Sequence, residues 1–194
     1  MTYRILTICT GNICRSPMAE YALREAVDRA GLGDRVEIAS AGTSGWEVGN
    51  PIDPRAGALL HRHGIESDEH SARQMEDDEL RRADLVLALD HDHLGPLRRA
   101  LGADQAARTV RMVRDFAPRP VEDTGIRDPW YGDESDFELA WSRSTRPPTA
   151  SSTTCARRSA RPAGRPGRTG RGSAHERGGG TRAGRRPADG CRAA

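Results

Sequence analysis

Apolar and polar positions along the first 141 residues follow two kinds of pattern. Short runs rich in aliphatic residues predict four strands, at residues 3–8, 36–40, 84–89 and 109–113. Apolar residues at helical spacing predict five helices, at residues 18–30, 55–63, 78–83, 91–101 and 135–141. Because strands and helices alternate, we predict an α/β fold, namely a small doubly wound four-stranded parallel sheet with helices on both faces.

The segment CTGNICRS, residues 9–16, follows the first predicted strand without a break. Ser16 and Pro17 predict the start of a helix, with Ser16 as its cap and proline at the first helical position. Ligands of such sheets bind at the carboxyl ends of the strands. The segment therefore lies where a binding site is expected.

The residue types in this segment suit a phosphate dianion. Cys9 becomes a strong nucleophile if inward-pointing N–H groups and a helix N-terminus stabilise its thiolate. Gly11 permits a tight turn, and the guanidinium of Arg15 matches two phosphate oxygens. We predict a phosphate-binding loop with a nucleophile at its base. Its residues are Cys9, Thr10, Gly11, Asn12, Ile13, Cys14, Arg15 and Ser16. The plain alternative is a core cysteine followed by chance by an arginine.

Charge divides the chain near residue 141. Residues 1–141 carry 17 arginines and 26 acidic residues, a net charge of −9, whereas residues 142–194 carry 13 arginines and 2 acidic residues, a net charge of +11. No Leu, Ile, Val, Met, Phe, Tyr or Trp follows Trp141. Such a segment cannot bury enough apolar surface to offset its chain entropy. The sequence thus predicts a folded domain over 1–141 and a disordered Arg/Gly/Pro/Ala-rich tail over 142–194.

Composition narrows the class of protein further. The chain has no lysine, which excludes a Schiff-base lysine and the lysine of a nucleotide-binding GxxxxGK[ST] loop. Of its four cysteines only Cys9 and Cys14 precede the tail, so we expect no disulfide scaffold and predict a reducing, cytoplasmic location. The N-terminus has no signal-peptide pattern, and no segment approaches the apolar length of a membrane span.

Two motifs together carry a resemblance to a known family. CTGNICRSPMAE near the N-terminus and DPWYG at residues 128–132 resemble the two signatures of the low-molecular-weight protein tyrosine phosphatases, in the right order and at about the right distance. The resemblance covers residues 1–141. It implies hydrolysis of phosphotyrosine and small aryl phosphates through a cysteinyl-phosphate intermediate, without a metal or other cofactor. The implied partners are tyrosine-phosphorylated proteins, with a tyrosine kinase as a candidate, and neither nucleic acid nor a membrane.

The resemblance implies catalytic roles for matching residues. Cys9 would be the nucleophile, Arg15 the phosphate clamp and Ser16 a hydrogen-bond donor to the Cys9 thiolate. Asp128 would be the general acid that protonates the leaving phenolate and then deprotonates the attacking water. Asp123 is a rival by proximity, but it lacks the neighbouring proline and aromatic residue.

Further residues match supporting positions of the family. Asn12 would hold the strained shape of the loop, with Ser40 and His70 as its partners, although a strand-end serine and a surface histidine explain the last two equally well. Cys14 matches a second loop cysteine that could form a reversible disulfide with Cys9.

Aromatic residues are scarce in this chain, and three of them match the pocket walls of the family. They are Trp46, Trp130 and Tyr131. Aromatic walls suit a phenyl ring and make the pocket deep, which favours phosphotyrosine over the shorter phosphoserine. A loop tryptophan that caps the core is the alternative explanation.

Two other functions remain open at this point. Thioredoxin-coupled arsenate reductases share the fold and a similar loop, but they need further cysteines, and residues 15–154 contain none. The Arg/Gly tail suggests a non-catalytic binder of phosphate or nucleic acid. That tail lacks interleaved aromatic residues, and the negative charge of residues 1–141 disfavours nucleic acid there.

The tail departs from the family, whose last helix continues as an amphipathic segment. When codons from Trp141 onward are read one frame over, with AGC and AGG for Ser142 and Arg143, the product is E-Q-V-D-A-A-A-D-G, then Ile, Val or Leu, then V-D-H-L-R. That product has apolar residues at helical spacing. We therefore interpret residues 142–194 as frameshift-derived and the last helix as truncated; a genuine disordered basic tail is the alternative.

Overall fold

The computed structural model describes residues 1–145, and within them four strands form one parallel sheet. The strand order is β2-β1-β3-β4. The strands are β1 (Tyr3–Cys9), β2 (Val36–Gly42), β3 (Leu85–Ala88) and β4 (Val110–Met112). The predicted parallel sheet is confirmed, and each strand lies within two residues of its predicted bounds.

Six α-helices accompany the sheet in the described part of the chain. They are α1 (Arg15–Arg29), α2 (Pro54–Arg62), α3 (Asp77–Arg82), α4 (Leu94–Leu101), α5 (Ala103–Thr109) and α6 (Glu134–Ser144). Glycines in the left-handed region follow α1 and α2, at Gly31 and Gly64. Each comes directly after the last residue of a predicted helix, residue 30 or residue 63.

The helices cover both faces of the sheet, as the doubly wound prediction requires. Alternate residues of β1 point to opposite faces. Leu6 and Ile8 pack with buried residues of α3, α4 and α5, including Leu80, Leu97 and Ala106. Cys9 at the end of the strand packs with buried residues of α1, α2 and α6, including Met18, Leu59 and Phe137.

Three details differ from the sequence prediction. Helix α1 begins at Arg15, so Ser16 is not its cap; the Ser16 hydroxyl instead contacts the Cys9 sulfur. Residues 91–101 are not one helix, because a 3₁₀ turn at His91–His93 precedes α4. Helix α5 was not predicted, since ADQAART carries few apolar residues; tertiary packing of Ala106 places it.

The end of the described chain bears on the predicted tail. Helix α6 continues to Ser144, past the predicted boundary at residue 141. The remainder of the segment predicted as a disordered tail, from residue 146 on, lies outside the described residues.

The carboxyl end of β1 lies where the order of the strands reverses direction. From β1 the chain crosses to β2 on one side and then to β3 on the other. The carboxyl end of β1 is therefore the point at which the winding direction reverses, and ligands of open α/β sheets bind there. Cys9 is the last residue of β1.

Candidate active site

The loop between β1 and α1 wraps around the Cys9 sulfur. Cys9 is 2% exposed. Its Sγ accepts a hydrogen bond from the Asn12 backbone N–H at 3.3 Å and lies 3.0 Å from the Ser16 hydroxyl. Helix α1 begins at Arg15, and the side chain of its N-cap residue Cys14 makes no capping hydrogen bond. The sulfur thus faces a backbone N–H donor and the positive end of a helix.

Asn12 holds the shape of this loop from inside the protein. It is fully buried and is the only non-glycine residue among those described with a positive φ, at 61°. Its Nδ2 donates to Ser40 Oγ at 2.7 Å and to Ser16 Oγ at 2.9 Å. The two bonds tie the loop to β2 and to α1, and they offset the cost of a left-handed backbone.

A second segment clamps Asn12 from the opposite side. His70 Nε2 donates to the Asn12 carbonyl oxygen at 2.7 Å, and the Arg73 backbone N–H donates to Asn12 Oδ1 at 3.0 Å. The structure therefore brings Ser40 and His70 together at Asn12, where the family resemblance placed them.

The end of β2 packs against the loop through its backbone. Thr43 N–H donates to the Cys9 carbonyl and Ser44 N–H to the Thr10 carbonyl. A Cβ on Gly42 would lie 2.6 Å from the Thr10 carbonyl oxygen. Because the obstructing atom belongs to the backbone, only glycine fits at this position without moving the loop.

Arg15 is the charged group of the site and is 3% exposed. Its Nη1 donates to the Ile126 carbonyl at 2.9 Å and to Asp90 Oδ2 at 3.3 Å, and its Nη2 pairs with Asp128. Its Nε is buried and has no hydrogen-bond partner within residues 1–145. A buried guanidinium N–H without a protein partner is a donor available to an anionic ligand.

Asp128 belongs to a loop that approaches from the other end of the chain. Its Oδ1 accepts from the Trp130 backbone N–H at 3.2 Å, which caps the 3₁₀ turn Pro129–Tyr131. Its Oδ2 pairs with Arg15 across 113 residues of sequence. Asp123, the rival acid, instead contacts His91 at 3.3 Å in exposed surroundings.

Arg55 fastens this acid loop, residues 128–133, to the rest of the protein. It donates to the Trp130 carbonyl at 3.2 Å and to the Gly132 carbonyl at 3.0 Å. Its Nε donates to Asp53 Oδ1, and its Nη2, which also bonds the Trp130 carbonyl, donates to Asp53 Oδ2. Burial alone would raise the pKa of Asp53, but the hydrogen bonds from Arg55 outweigh it and hold that pKa below its usual range.

The predicted aromatic residues lie on the surface of the protein. Trp130 and Tyr131 contact each other edge to face, with ring centroids 4.8 Å apart, and Tyr131 is 84% exposed. Trp46 is equally exposed, in the loop that Ser44 attaches to Thr10. None of the three caps the core, which removes the alternative explanation for them.

Besides Arg55, sequence reasoning missed two polar residues that follow β3. Asp90 contacts Arg15, and the fully buried His93 lies 3.2 Å from Thr10 Oγ1. A signal was present: both follow β3, whose carboxyl end lies beside that of β1. Polar residues after a neighbouring parallel strand are expected at the same edge of the sheet.

The two loop cysteines differ in chemistry. Both are free and buried. Burial, reinforced by the nearby Asp53 and Cys9, raises the pKa of Cys14 far above its usual range. Cys14 therefore stays a neutral thiol, and Cys9 is the candidate nucleophile.

Within residues 1–145 no group of three His, Cys, Asp or Glu side chains is arranged to hold a metal ion. In the same part of the chain, no helix has the length and apolar character needed to span a membrane.

A buried thiol in a loop of donor groups, a buried arginine and a carboxylate paired with it are the groups that nucleophilic chemistry on a phosphoryl group requires. Comparison with known proteins agrees. The family model for low molecular weight phosphotyrosine protein phosphatase matches residues 4–143. The chain belongs to this family, and it is an enzyme of the protein-tyrosine-phosphatase type.

Individual relatives support the assignment. The low molecular weight protein-tyrosine-phosphatase of Streptomyces coelicolor is 48% identical over 139 residues, covering 71% of this chain and 84% of the relative. Protein-tyrosine phosphatase A of Mycobacterium tuberculosis is 49% identical over 132 residues, covering 68% and 78%. The crystal structure of YfkJ from Bacillus subtilis superposes with a TM-score of 0.69 at 30% identity, covering 75% of this chain and 92% of YfkJ.

Proposed function

We propose that this enzyme hydrolyses phosphotyrosine through two phosphoryl transfers at Cys9. The observation that carries this mechanism is the buried Arg15 Nε, which lacks a partner among the described residues. A phosphoryl oxygen supplies the missing acceptor. It also places the phosphorus over a loop whose base is the Cys9 sulfur.

In the first transfer the Cys9 thiolate attacks phosphorus and the bond to the tyrosyl oxygen breaks. Asp128 gives its proton to the departing phenolate, so that a neutral phenol leaves. In the second transfer the Asp128 carboxylate takes a proton from water, the water oxygen bonds to phosphorus and the P–S bond breaks. Inorganic phosphate leaves and the thiolate is regenerated.

The pairing of Arg15 with Asp128 fits this sequence of events. A phosphoryl dianion binds Arg15 more strongly than a single carboxylate does, because it offers two charged oxygens to the planar fork. Substrate therefore displaces Asp128 from Arg15 and leaves it beside the leaving-group oxygen.

The surroundings of the site suggest the substrate. Trp46, Trp130 and Tyr131 are exposed on the two loops that flank the phosphate-binding loop. Aromatic rings there stack on a phenyl ring and extend the pocket to the length of phosphotyrosine. We propose tyrosine-phosphorylated proteins as partners, together with the kinase that produces them. Because the reaction needs a free thiol, we propose a reducing cytoplasm as its location.

Turnover of a phosphotyrosine peptide by the purified chain tests the function, with the matched phosphoserine peptide as control. We expect phosphate release from the first peptide only, unchanged by a chelator. Acid quenching during turnover should trap phosphate on Cys9. Absence of turnover, or activity that chelator abolishes, would contradict the proposal.

We also propose that the sequence after Trp141 arises from a shifted reading frame, so that α6 is a truncated form of the last helix of the phosphatase domain. Apolar residues of α1 and α6, including Leu23, Ala26 and Trp141, line a surface groove that Ser144 and Thr145 also border. An apolar continuation of α6 could cover such a groove. The chain with the restored frame should have a higher melting temperature than the chain that ends in residues 142–194. Equal melting temperatures, or a gene whose DNA sequence encodes residues 142–194 in frame, would contradict this.

A further inference from the structure

Thr10 occupies a position in the phosphate-binding loop whose hydrogen bonding is unusually constrained. Its Oγ1 lies 3.2 Å from His93 Nε2 and 3.4 Å from Arg15 Nη2. Arginine offers only donors, so the second contact uses one of the two lone pairs of the hydroxyl.

The tautomer of His93 determines which atom donates in its contact with Thr10 Oγ1. His93 Nδ1 lies 2.9 Å from the backbone N–H of Asp90, which can only donate. Nδ1 must therefore be the acceptor, and a neutral imidazole with an acceptor at Nδ1 carries its proton on Nε2. His93 thus donates to Thr10 Oγ1. The pKa of His93 agrees: burial first, and then the charge of Arg15, lower it to about 3.

Both lone pairs of the Thr10 hydroxyl are consequently taken by obligatory donors. Its own proton is then the group left to donate, and neither of its two side-chain contacts within residues 1–145 provides an acceptor. Thr10 is half-buried, and it is the residue next to Cys9, in the loop that surrounds the sulfur.

We propose that the Thr10 hydroxyl is a hydrogen-bond donor to a non-bridging oxygen of the phosphoryl group, and that His93 is the positioning residue that orients it. This inference rests on the proposed function, since it assigns a further contact to the same substrate. It adds a side-chain donor to the backbone N–H groups of the loop and the guanidinium of Arg15.

The central test compares Thr10→Val, which keeps the branched shape and removes the hydroxyl, with Thr10→Ser, which keeps the hydroxyl. Binding is measured without turnover, as the rise in melting temperature that inorganic phosphate causes in a Cys9→Ser background. A hydrogen bond to a charged group predicts about 10–100-fold weaker phosphate binding for Thr10→Val and near-normal binding for Thr10→Ser. Equal phosphate affinity in Thr10→Val and the parent would overturn the proposal.

The role of His93 is tested by a double-mutant cycle on kcat/KM. His93→Leu should lower kcat/KM about 10-fold or more alone, and it should cause little further loss in the Thr10→Val protein. His93→Gln, which can still donate to Thr10, should recover part of the activity. A loss from His93→Leu that is equally large with and without Thr10 would assign His93 a merely structural role and overturn that half of the proposal.

The exposed His91 provides a matched control on the same 3₁₀ turn: its side chain contacts Asp123, and its bond to Asp90 Oδ1 comes from the backbone N–H, which a substitution keeps. His91→Gln should leave phosphate binding and turnover unchanged. If wild-type protein binds phosphate through Thr10 but does not hydrolyse phosphotyrosine, the proposed function fails while this inference stands. If phosphotyrosine is hydrolysed normally and Thr10→Val binds phosphate as tightly as the parent, this inference fails while the proposed function stands.

Discussion

Two loops build the active site, and they are held in different ways. The phosphate-binding loop is buried: Asn12 and Ser16 are fully inaccessible, and hydrogen bonds reach them from β2 and from the segment around His70. The acid loop is exposed, with Tyr131 at 84%. It is attached through a few polar contacts, chiefly those of Arg15 and Arg55. The proposed mechanism needs a fixed nucleophile and an acid that exchanges partners, and this division suits both.

Removing the proposed nucleophile should have the largest effect on turnover. Cys9→Ser should lower turnover by about 10⁴–10⁶-fold, as expected when a covalent catalyst is lost. Phosphate binding should persist, because the donors of the loop remain. Melting curves with and without phosphate, measured beside the turnover assay, check both statements. Turnover within tenfold of wild type would remove Cys9 from the mechanism.

Removing the acid should have a smaller effect that depends on the leaving group. Asp128→Asn should slow hydrolysis of phenyl phosphate by about 10²–10⁴-fold. A phenol activated by a nitro group leaves without a proton, so its hydrolysis should suffer much less. If both substrates slow equally, Asp128 is not the acid and Asp123→Asn is the next variant to measure.

Substitutions in the buried phosphate-binding loop should lower the stability of the protein more than substitutions in the exposed acid loop. Asn12→Ala leaves buried partners unsatisfied and places alanine at a left-handed φ, so it should lower the free energy of unfolding by about 2–4 kcal/mol. Asn12→Gly loses the same side-chain hydrogen bonds but tolerates the left-handed φ. It should therefore lower the free energy of unfolding by less than Asn12→Ala does. Denaturant titration of both variants measures the difference. Asn50→Ala removes an exposed hydrogen bond to Glu47 and serves as the control.

Arg55 tests how the acid loop is positioned. Arg55→Gln weakens the contacts to the Trp130 and Gly132 carbonyls and should slow phenyl phosphate hydrolysis about 10-fold, less than the ~10² that a 1 Å misplacement can cause. The loss should disappear in an Asp128→Asn background. Arg62→Gln, on the same helix but paired with Glu138 at the surface, is the control. A loss that persists without Asp128 would show that Arg55 acts elsewhere.

His93 adds a pH dependence to the stability of the protein. Its pKa is about 3 in the folded protein, whereas an unfolded histidine titrates near 6.5. Between these values the unfolded chain binds a proton that the native protein does not. Stability is therefore lost as pH falls from about 6.5 towards 3, by up to ~1.4 kcal/mol per pH unit. His93→Gln should show a shallower decline in denaturant titrations over this range, and His91→Gln should not.

Much of this could be predicted from sequence because local chemistry dictates it. The strand-forming runs, the glycines that end α1 and α2, and the CTGNICRS loop after β1 depend on residues close together in the chain. Adjacent residues also make the loop itself, so Cys9, Asn12 and Ser16 could be assigned to one cluster. Helix α5 escaped prediction because its sequence has little amphipathic pattern and packing against the sheet decides its place.

The sequence by itself determined the parallel α/β class and the loop that surrounds Cys9, and the resemblance to the family added the distant aspartate motif. Only the tertiary structure decided which residues complete the site. Asp90 and His93 join it because β3 lies beside β1, and Arg55 because α2 packs near the acid loop. These contacts join residues 75 or more positions apart. Local pattern cannot specify such pairs, since they depend on the order in which strands assemble and not on neighbours in the chain.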